Sequence, residues 1–228
     1  ISGAIHGDFL ARLHKAGGGT LVLSGANDYF GPTLISGGTL VMGAAGISSG
    51  SVESHANTVF DVAALPFGWN LWSGQTLQAS GLVIGNITAS GGSTNTPGGA
   101  GVPATMTVNG NLTLDGATGV FDLSNVTTVG GGVNDLVQVN GSLTLNGLTT
   151  IHLNALSGAL ANGSYKLIKY TGTLSGGVGN LVLTGFGEGS RQIATLKDNV
   201  AGEISLEVAG APASLVWSGA DPTNPTWW

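Results

Sequence analysis

Cysteine is absent from the 228 residues, and with it go disulfide staples, thiolate metal sites and cysteine nucleophiles. Stability must therefore come from a continuous apolar core and backbone ladders. The absence also suits an exported chain that avoids oxidative mispairing. Charge is scarce as well. Lys, Arg, Asp and Glu make up 8% of the chain, against ~25% in an ordinary domain. A net charge of -6 and only two arginines, Arg12 and Arg191, leave no basic patch for phosphates, which argues against a nucleic-acid partner. No apolar run approaches the ~20 residues of a membrane-spanning helix, so no helical membrane insertion is expected. Seven Pro, and Gly without a three-residue period, exclude collagen. No signal peptide is visible and the chain opens at Ile1, which reads as a mature chain or an excised segment.

What is present is glycine, 41 residues of it, and 42% hydrophobic residues. Little charge with much hydrophobicity is the opposite of a disordered composition. Short β-branched or Leu-rich runs recur, among them Thr20 to Leu23, Thr39 to Met42, Thr58 to Val62, Leu82 to Ile84, Met106 to Val108, Leu112 to Leu114, Leu143 to Leu145 and Glu203 to Val208. Each has strand length and near period-2 alternation, and each is bounded by Gly, Asn, Asp or Ser. Asn154 to Ala161 is too short and Gly-interrupted for a helix. The chain is all-β, and a sandwich, a barrel and a solenoid compete. Asn-Gly pairs at 109–110, 140–141, 146–147 and 162–163 would ordinarily signal hairpins. The internal repeats favour the solenoid instead. Residues 108–116 reappear at 139–147 with seven of nine positions identical, and Gly19-Thr-Leu21 recurs as Gly38-Thr-Leu40. Self-similarity at ~20 to 30 residues marks stacked coils, with Leu over Leu inside and Thr over Thr outside.

The stretch from Lys15 to Gly43, with Gly-Gly-Thr-Leu-Val followed by a second Gly-Gly-Thr-Leu-Val, resembles the autotransporter-associated β-strand repeat of bacterial passenger domains. Looser similarities follow at Gly50-Ser-Val52, Ser73 to Leu77, Asn134-Asp135, Asn162 to Tyr165 and Leu215 to Gly219. The resemblance implies a right-handed parallel β-helix displayed outside the cell. It also departs from the family: there is one full repeat, and no membrane barrel to export it. The expected organisation is a solenoid over 1–89 with the repeat at 15–43, a Gly/Pro-rich loop at 90–104, a continuing solenoid over 105–213, and the start of a next module or an inter-subunit segment at 214–228. At roughly 20 residues per coil this predicts about eleven rungs and a rod of ~50 Å.

Chemistry is harder to find. Gly46-Ile-Ser48-Ser-Gly50 has the nucleophile-elbow spacing, but a strand is expected after it rather than the helix that the elbow needs. Gly130 to Leu136 approaches a calcium-binding nonapeptide, yet Val133 stands in place of a glycine and one carboxylate, Asp135, falls short of a cage. The carboxylates are scattered singly, ionisable groups gather only around Arg191, Lys197 and Asp198, and His6, His14, His55 and His152 lack metal spacing. Asn-x-Ser/Thr matches at 86, 111, 125, 140 and 162 read as turns leading into strands. No catalytic, cofactor-binding or metal residues are assigned.

Leu65 to Trp72 concentrates Phe67, Trp69 and Trp72, and Trp217, Trp227 and Trp228 lie near the end. These six form the candidate contact surface. For the first three, burial in a corner, contact with another chain and a sugar-stacking platform all stay open. Neither end shows a cap, so end-to-end association with like subunits or neighbouring modules is expected. The expected function is a non-catalytic structural or adhesive module of a bacterial extracellular or cell-surface protein, tandem or filament-forming, with surface glycans as a further partner class. The alternative is a carbohydrate-binding or polysaccharide-cleaving β-helix.

Overall fold

A computed structural model describes residues 1–8, 10–187 and 192–210. The chain winds through its strands in strict rotation, so that each strand pairs with its counterpart one coil later. The first face holds eight parallel strands, from Leu13–Lys15 to Leu181–Thr184. The second runs from Thr20–Leu23 to Gly163–Tyr170. The third begins as an isolated parallel bridge between Asn27 and Ile47 and becomes a five-stranded sheet from Trp69–Leu71 to Leu174–Ser175. This is the expected β-solenoid.

The repeats seen in the sequence stack directly on one another. Thr20, Leu21, Val22 and Leu23 pair with Thr39, Leu40, Val41 and Met42. Leu112, Thr113, Leu114 and Asp115 pair with Leu143, Thr144, Leu145 and Asn146. On the second face Leu21, Leu40, Phe60, Val83, Val108, Val139 and Tyr170 form one inward column. On the third face Thr88, Thr113 and Thr144 form an outward one. Period-2 side-chain alternation explains why one register serves both columns: a one-residue slip would turn every Leu outward. Leu40, Phe60, Val83, Val108, Val139, Leu143 and Leu145 are fully buried, each contributing ~1.5–3 kcal/mol.

Corners are fixed by backbone geometry and polar ladders rather than by hairpins. Gly38 sits at φ 67°, where a Cβ would lie 2.2 Å from the Gly19 carbonyl oxygen, so only glycine fits. The Asn-Gly pairs at 109–110 and 140–141 turn between parallel strands of one coil. There Asn140 Nδ2 donates to Asn109 Oδ1 at 2.7 Å, and Ser142 N donates to Asn111 Oδ1 at 2.8 Å. Lys15, 6% exposed, donates through Nζ to the carbonyls of Ala16, Gly17 and Gly37, clamping two successive glycine corners.

Three expectations are corrected. The rod is shorter than eleven rungs: eight strands span seven steps, ~34 Å at ~4.8 Å each. Coils lengthen along the chain, from the 20-residue pairing of Leu13 with Thr33 to the 32-residue pairing of Thr149 with Leu181. Residues 90–104 are not one loop, because Thr94–Pro97 is a first-face strand paired with Thr76 to Ala79 and, at Thr94 and Asn95, with Thr118 and Gly119. Its small polar residues point outward while Asn95 and Pro97 face the core. Finally, one end does carry a partial cap. Glu203–Ala209 pairs antiparallel with Gly163–Tyr170 and in turn with Ile193–Lys197, and an ion pair from Lys166 to Glu203 ties the first of these pairings. At the other end, Leu13–Lys15 and Thr20–Leu23 are the edge strands of their sheets. The segment 214–228, with Trp217, Trp227 and Trp228, lies outside the described residues.

Candidate functional site: an aromatic corner groove

The aromatic cluster at 67–72 is split by the solenoid. Trp69 opens a third-face strand whose burial alternates in-out-in, so its indole enters the core. It is 5% exposed and meets the Phe60 ring edge-on, with centroids 5.0 Å apart. Phe67, 90% exposed, sits in the turn that Gly68 N closes onto the Leu65 carbonyl, ahead of that strand. Trp72, 61% exposed, lies just after the strand, at the corner leading to the first face. The three aromatics therefore do not form one surface: Trp69 is core, and Phe67 and Trp72 occupy different corners.

Trp72 has another neighbour instead. With Phe30, Ser48, Gly50, Ser73, Gly74 and Gln75 it lines an open groove of about 430 Å³. Phe30, Ser48 to Gly50 and Trp72 to Gln75 are the same corner in three successive coils, stitched by Gly50 N donating to the Phe30 carbonyl and Thr76 N to that of Gly50. The corner is held firmly. Gln75 N closes a turn onto the Trp72 carbonyl at 3.0 Å, Gln75 Oε1 accepts from Trp72 N at 2.7 Å, and Gln75 Nε2 donates to the Ser49 carbonyl at 2.8 Å. Below it, Ser49 Oγ donates to the Gly31 carbonyl at 2.8 Å. Phe30 belongs to this groove, and the sequence reading missed it. The signal was there: stepping the coil register on from Thr33 to Val52 to Leu77 sets Phe30 against Gly74, two residues beyond Trp72 in the same corner segment.

The remaining polar candidates are not assembled into a reactive centre. Ser48 is followed by the strand Ser51–Ser54 rather than a helix, so the elbow geometry is missing. His6 pairs with Asp28 at 2.8 Å and His55 with Glu53 at 2.8 Å, while His14 contacts Ser36 Oγ and His152 contacts Thr184 Oγ1. Among the described residues no group of three His, Cys, Asp or Glu could hold a metal ion. Asp198 accepts from Val178 N at 3.0 Å, and Arg191 lies outside the described residues.

Asp135 holds a corner together. Its Oδ1 accepts from Ala104 N and its Oδ2 from Asp122 N, both at 2.7 Å. Asp135 and Asp122 are both buried. Asp122 Oδ1 accepts from Asn154 Nδ2 at 2.6 Å, while its Oδ2 has no hydrogen-bond partner among the described residues. Burial pushes the Asp135 carboxyl up to about 7, against the opposing pull of its two backbone donors and with a further push from the Asp122 charge.

Among known proteins, residues 13–42 match the family described as Passenger-associated-transport-repeat. No curated protein matches the chain. The matched stretch is the portion of the solenoid in which the Leu13–Lys15 and Thr20–Leu23 strands pair with Thr33–Ile35 and Thr39–Met42. The stretch in which the first two coils stack is therefore similar to the passenger-associated transport repeat.

Proposed function

We propose that the chain is a non-catalytic structural or adhesive module of an extracellular or cell-surface bacterial protein, joined to its neighbours end to end. The observation that carries the reading is the similarity of residues 13–42 to the passenger-associated transport repeat, in a stretch that continues without a break into the remaining coils. A solenoid built this way gives length and a repetitive exterior of hydroxyls and amides. The end-to-end contact belongs at the end opposite the antiparallel cap. There Leu13–Lys15 and Thr20–Leu23 are edge strands, Leu13 and Leu21 are only half-buried, and Ile1, Leu10 and Val22 are exposed. Residues 1–5 already run along part of this edge, with Ile1 N donating to the Val22 carbonyl and Ser24 N to the Ile1 carbonyl, and the strand edges beyond them accept a further coil, from a preceding module or a second copy. The antiparallel cap makes the opposite end a poorer template on its second face. Two measurements test the reading. Antibody raised against this segment labels intact producing cells, and external protease removes the epitope; labelling only after lysis refutes surface display. Light scattering of the isolated chain shows concentration-dependent association that is lost in Val22→Lys, whereas a strict monomer refutes contact between copies.

A further inference from the structure

We infer that Asn146 is a site of spontaneous deamidation, at which the backbone nitrogen of Gly147 displaces the side-chain amide as ammonia and a carboxyl group is left at a corner of the solenoid. The inference concerns the chain's own covalent chemistry and does not depend on where the protein is displayed.

The argument starts from the Asn-Gly pairs at 109–110, 140–141, 146–147 and 162–163. Glycine after asparagine offers the least steric resistance to ring closure, because no Cβ shields its nitrogen. Sequence ranks these pairs equally, but the fold does not. Asn140 Nδ2 donates to Asn109 Oδ1 at 2.7 Å, and Gln138 Nε2 donates to Asn140 Oδ1 at 3.3 Å. Asn162 is held at both ends of its amide, by Gln192 Nε2 at 3.0 Å and by the Gly210 carbonyl at 2.5 Å. Among the described residues the Asn146 side chain makes no hydrogen bond, so its Cγ swings toward the next nitrogen without breaking one. The attacking residue differs as well. Gly110, Gly141 and Gly163 are half-buried, whereas Gly147 is exposed together with Asn146 before it and Leu148 after it. A Cβ on Gly110 or Gly141 would lie 2.2 or 2.3 Å from a carbonyl oxygen of the preceding coil, and Gly163 is paired in a strand with Val208. Gly147 instead follows the last residue of the strand Leu143–Asn146 at φ 55°, and its nitrogen donates to nothing among the described residues. The backbone hold on Asn146 is loose too, because Gly116 N is shared between the Asn146 carbonyl and Thr149 Oγ1, both at 3.2 Å.

The chemistry needs water alone. Solvent takes the Gly147 N–H proton and the nitrogen attacks Cγ of Asn146. The new N–Cγ bond closes a cyclic imide, the bond from Cγ to the amide nitrogen breaks, and that nitrogen takes up a proton from solvent and leaves as ammonia. Water then adds at either imide carbonyl and breaks its bond to the ring nitrogen, giving an aspartyl or an isoaspartyl linkage at position 146. Both products loosen the corner. Asn146 stacks on Asp115 of the preceding coil, and both side chains are exposed, so a carboxylate at position 146 sets like charges on directly paired residues. The isoaspartyl form also lengthens the backbone between the strands Leu143–Asn146 and Thr149–Ala155, which disturbs the register that keeps their leucines inward.

The experiment incubates the purified, folded chain at mildly acidic and mildly alkaline pH, with the same chain in denaturing urea alongside. Peptide mapping by mass spectrometry then separates asparagine, aspartate and isoaspartate at each Asn-Gly pair. In the folded chain position 146 is expected to convert first, faster at alkaline pH and with an equal amount of ammonia released. Positions 109, 140 and 162 should lag by about tenfold, the rate equivalent of one retained hydrogen bond. In urea the pairs should converge on similar rates, because the fold imposes the ranking. Asn146→Gln, whose longer side chain closes the ring poorly, should lose conversion at that position and leave the other pairs as they were. Asn146→Asp should lower the denaturation midpoint, and Asp115→Asn added to it should recover part of the loss; an unchanged midpoint refutes the loosening of the corner. The inference is overturned if another Asn-Gly pair converts before position 146 in the folded chain, if all convert at one rate both folded and in urea, or if position 146 stays intact in the folded chain while the chain in urea is fully converted.

Discussion

Protonation of Asp135 should make this solenoid more stable in mild acid than at neutral pH. Its carboxyl is buried between the backbone amides of Ala104 and Asp122, beside a second buried carboxylate, and is raised from 3.8 to about 7 in the folded chain. The folded state therefore holds this proton more tightly than the unfolded state. For such a group the stabilisation is complete below the unfolded pKa and is lost as pH rises toward the folded one. Over the whole interval of about three pKa units, at ~1.4 kcal/mol each, the loss approaches ~4 kcal/mol. Between pH 5 and pH 8 the same relation gives about 2.5 kcal/mol. Guanidinium unfolding of the wild type and of Asp135→Asn at pH 5, 6, 7 and 8 measures it. Every other titratable group is common to both proteins, so the difference in slope isolates Asp135. The variant starts less stable, because its amide nitrogen faces one of the two backbone donors, but it should lack this pH-dependent loss. Equal slopes in the two proteins, or a wild type that gains stability from pH 5 to pH 8 relative to the variant, would refute the reasoning.

Asn95 faces the core between Leu77 and Gly119, and neither of its side-chain polar atoms has a partner among the described residues. Asn95→Leu, of similar branched shape, should raise unfolding stability by ~1–3 kcal/mol, read as a higher denaturation midpoint. Lys15→Met keeps the buried stem but removes the donor to the Ala16, Gly17 and Gly37 carbonyls, so it should cost ~1.5–3 kcal/mol, and amide exchange should accelerate first at the Gly17 and Gly37 corners. Gly38→Ala forces a Cβ to 2.2 Å from a carbonyl at positive φ and should lower the melting temperature, whereas Gly18→Ala, with nothing within 4 Å, should leave it nearly unchanged.

The parts of this fold legible in the sequence are those where neighbouring coils have equal length. The nine-residue repeat at 108–116 and 139–147 marks two adjacent third-face strands in register, and Gly19 and Gly38 mark two adjacent corners. Where coil length changes, no shift repeats and the pattern fades. The strands Trp69–Leu71 and Thr94–Pro97 were missed for that reason, and because Asn95 and Pro97 replace aliphatic residues at inward positions. The antiparallel cap was illegible because Glu203 to Ala209 alternates like any parallel strand, and partner direction leaves no mark on the alternation. The aromatic site was half legible. Trp72 was singled out with Trp69 and Phe67 because they are close in sequence, while its partner in the groove, Phe30, lies 42 positions earlier and is reached only through coil register.

That register is the central claim, and the absence of native cysteine makes it directly testable by paired cysteines. Thr88, Thr113 and Thr144 occupy one outward column on successive coils, so neighbours are separated by ~4.8 Å and the outer two by ~9.6 Å. Disulfides form where Cα atoms lie within roughly 4.4–6.8 Å. Thr113→Cys/Thr144→Cys and Thr88→Cys/Thr113→Cys should cross-link within a single chain on mild oxidation, and Thr88→Cys/Thr144→Cys should not. Failure of both neighbouring pairs, or equal cross-linking of the outer pair, would contradict the stacked parallel solenoid.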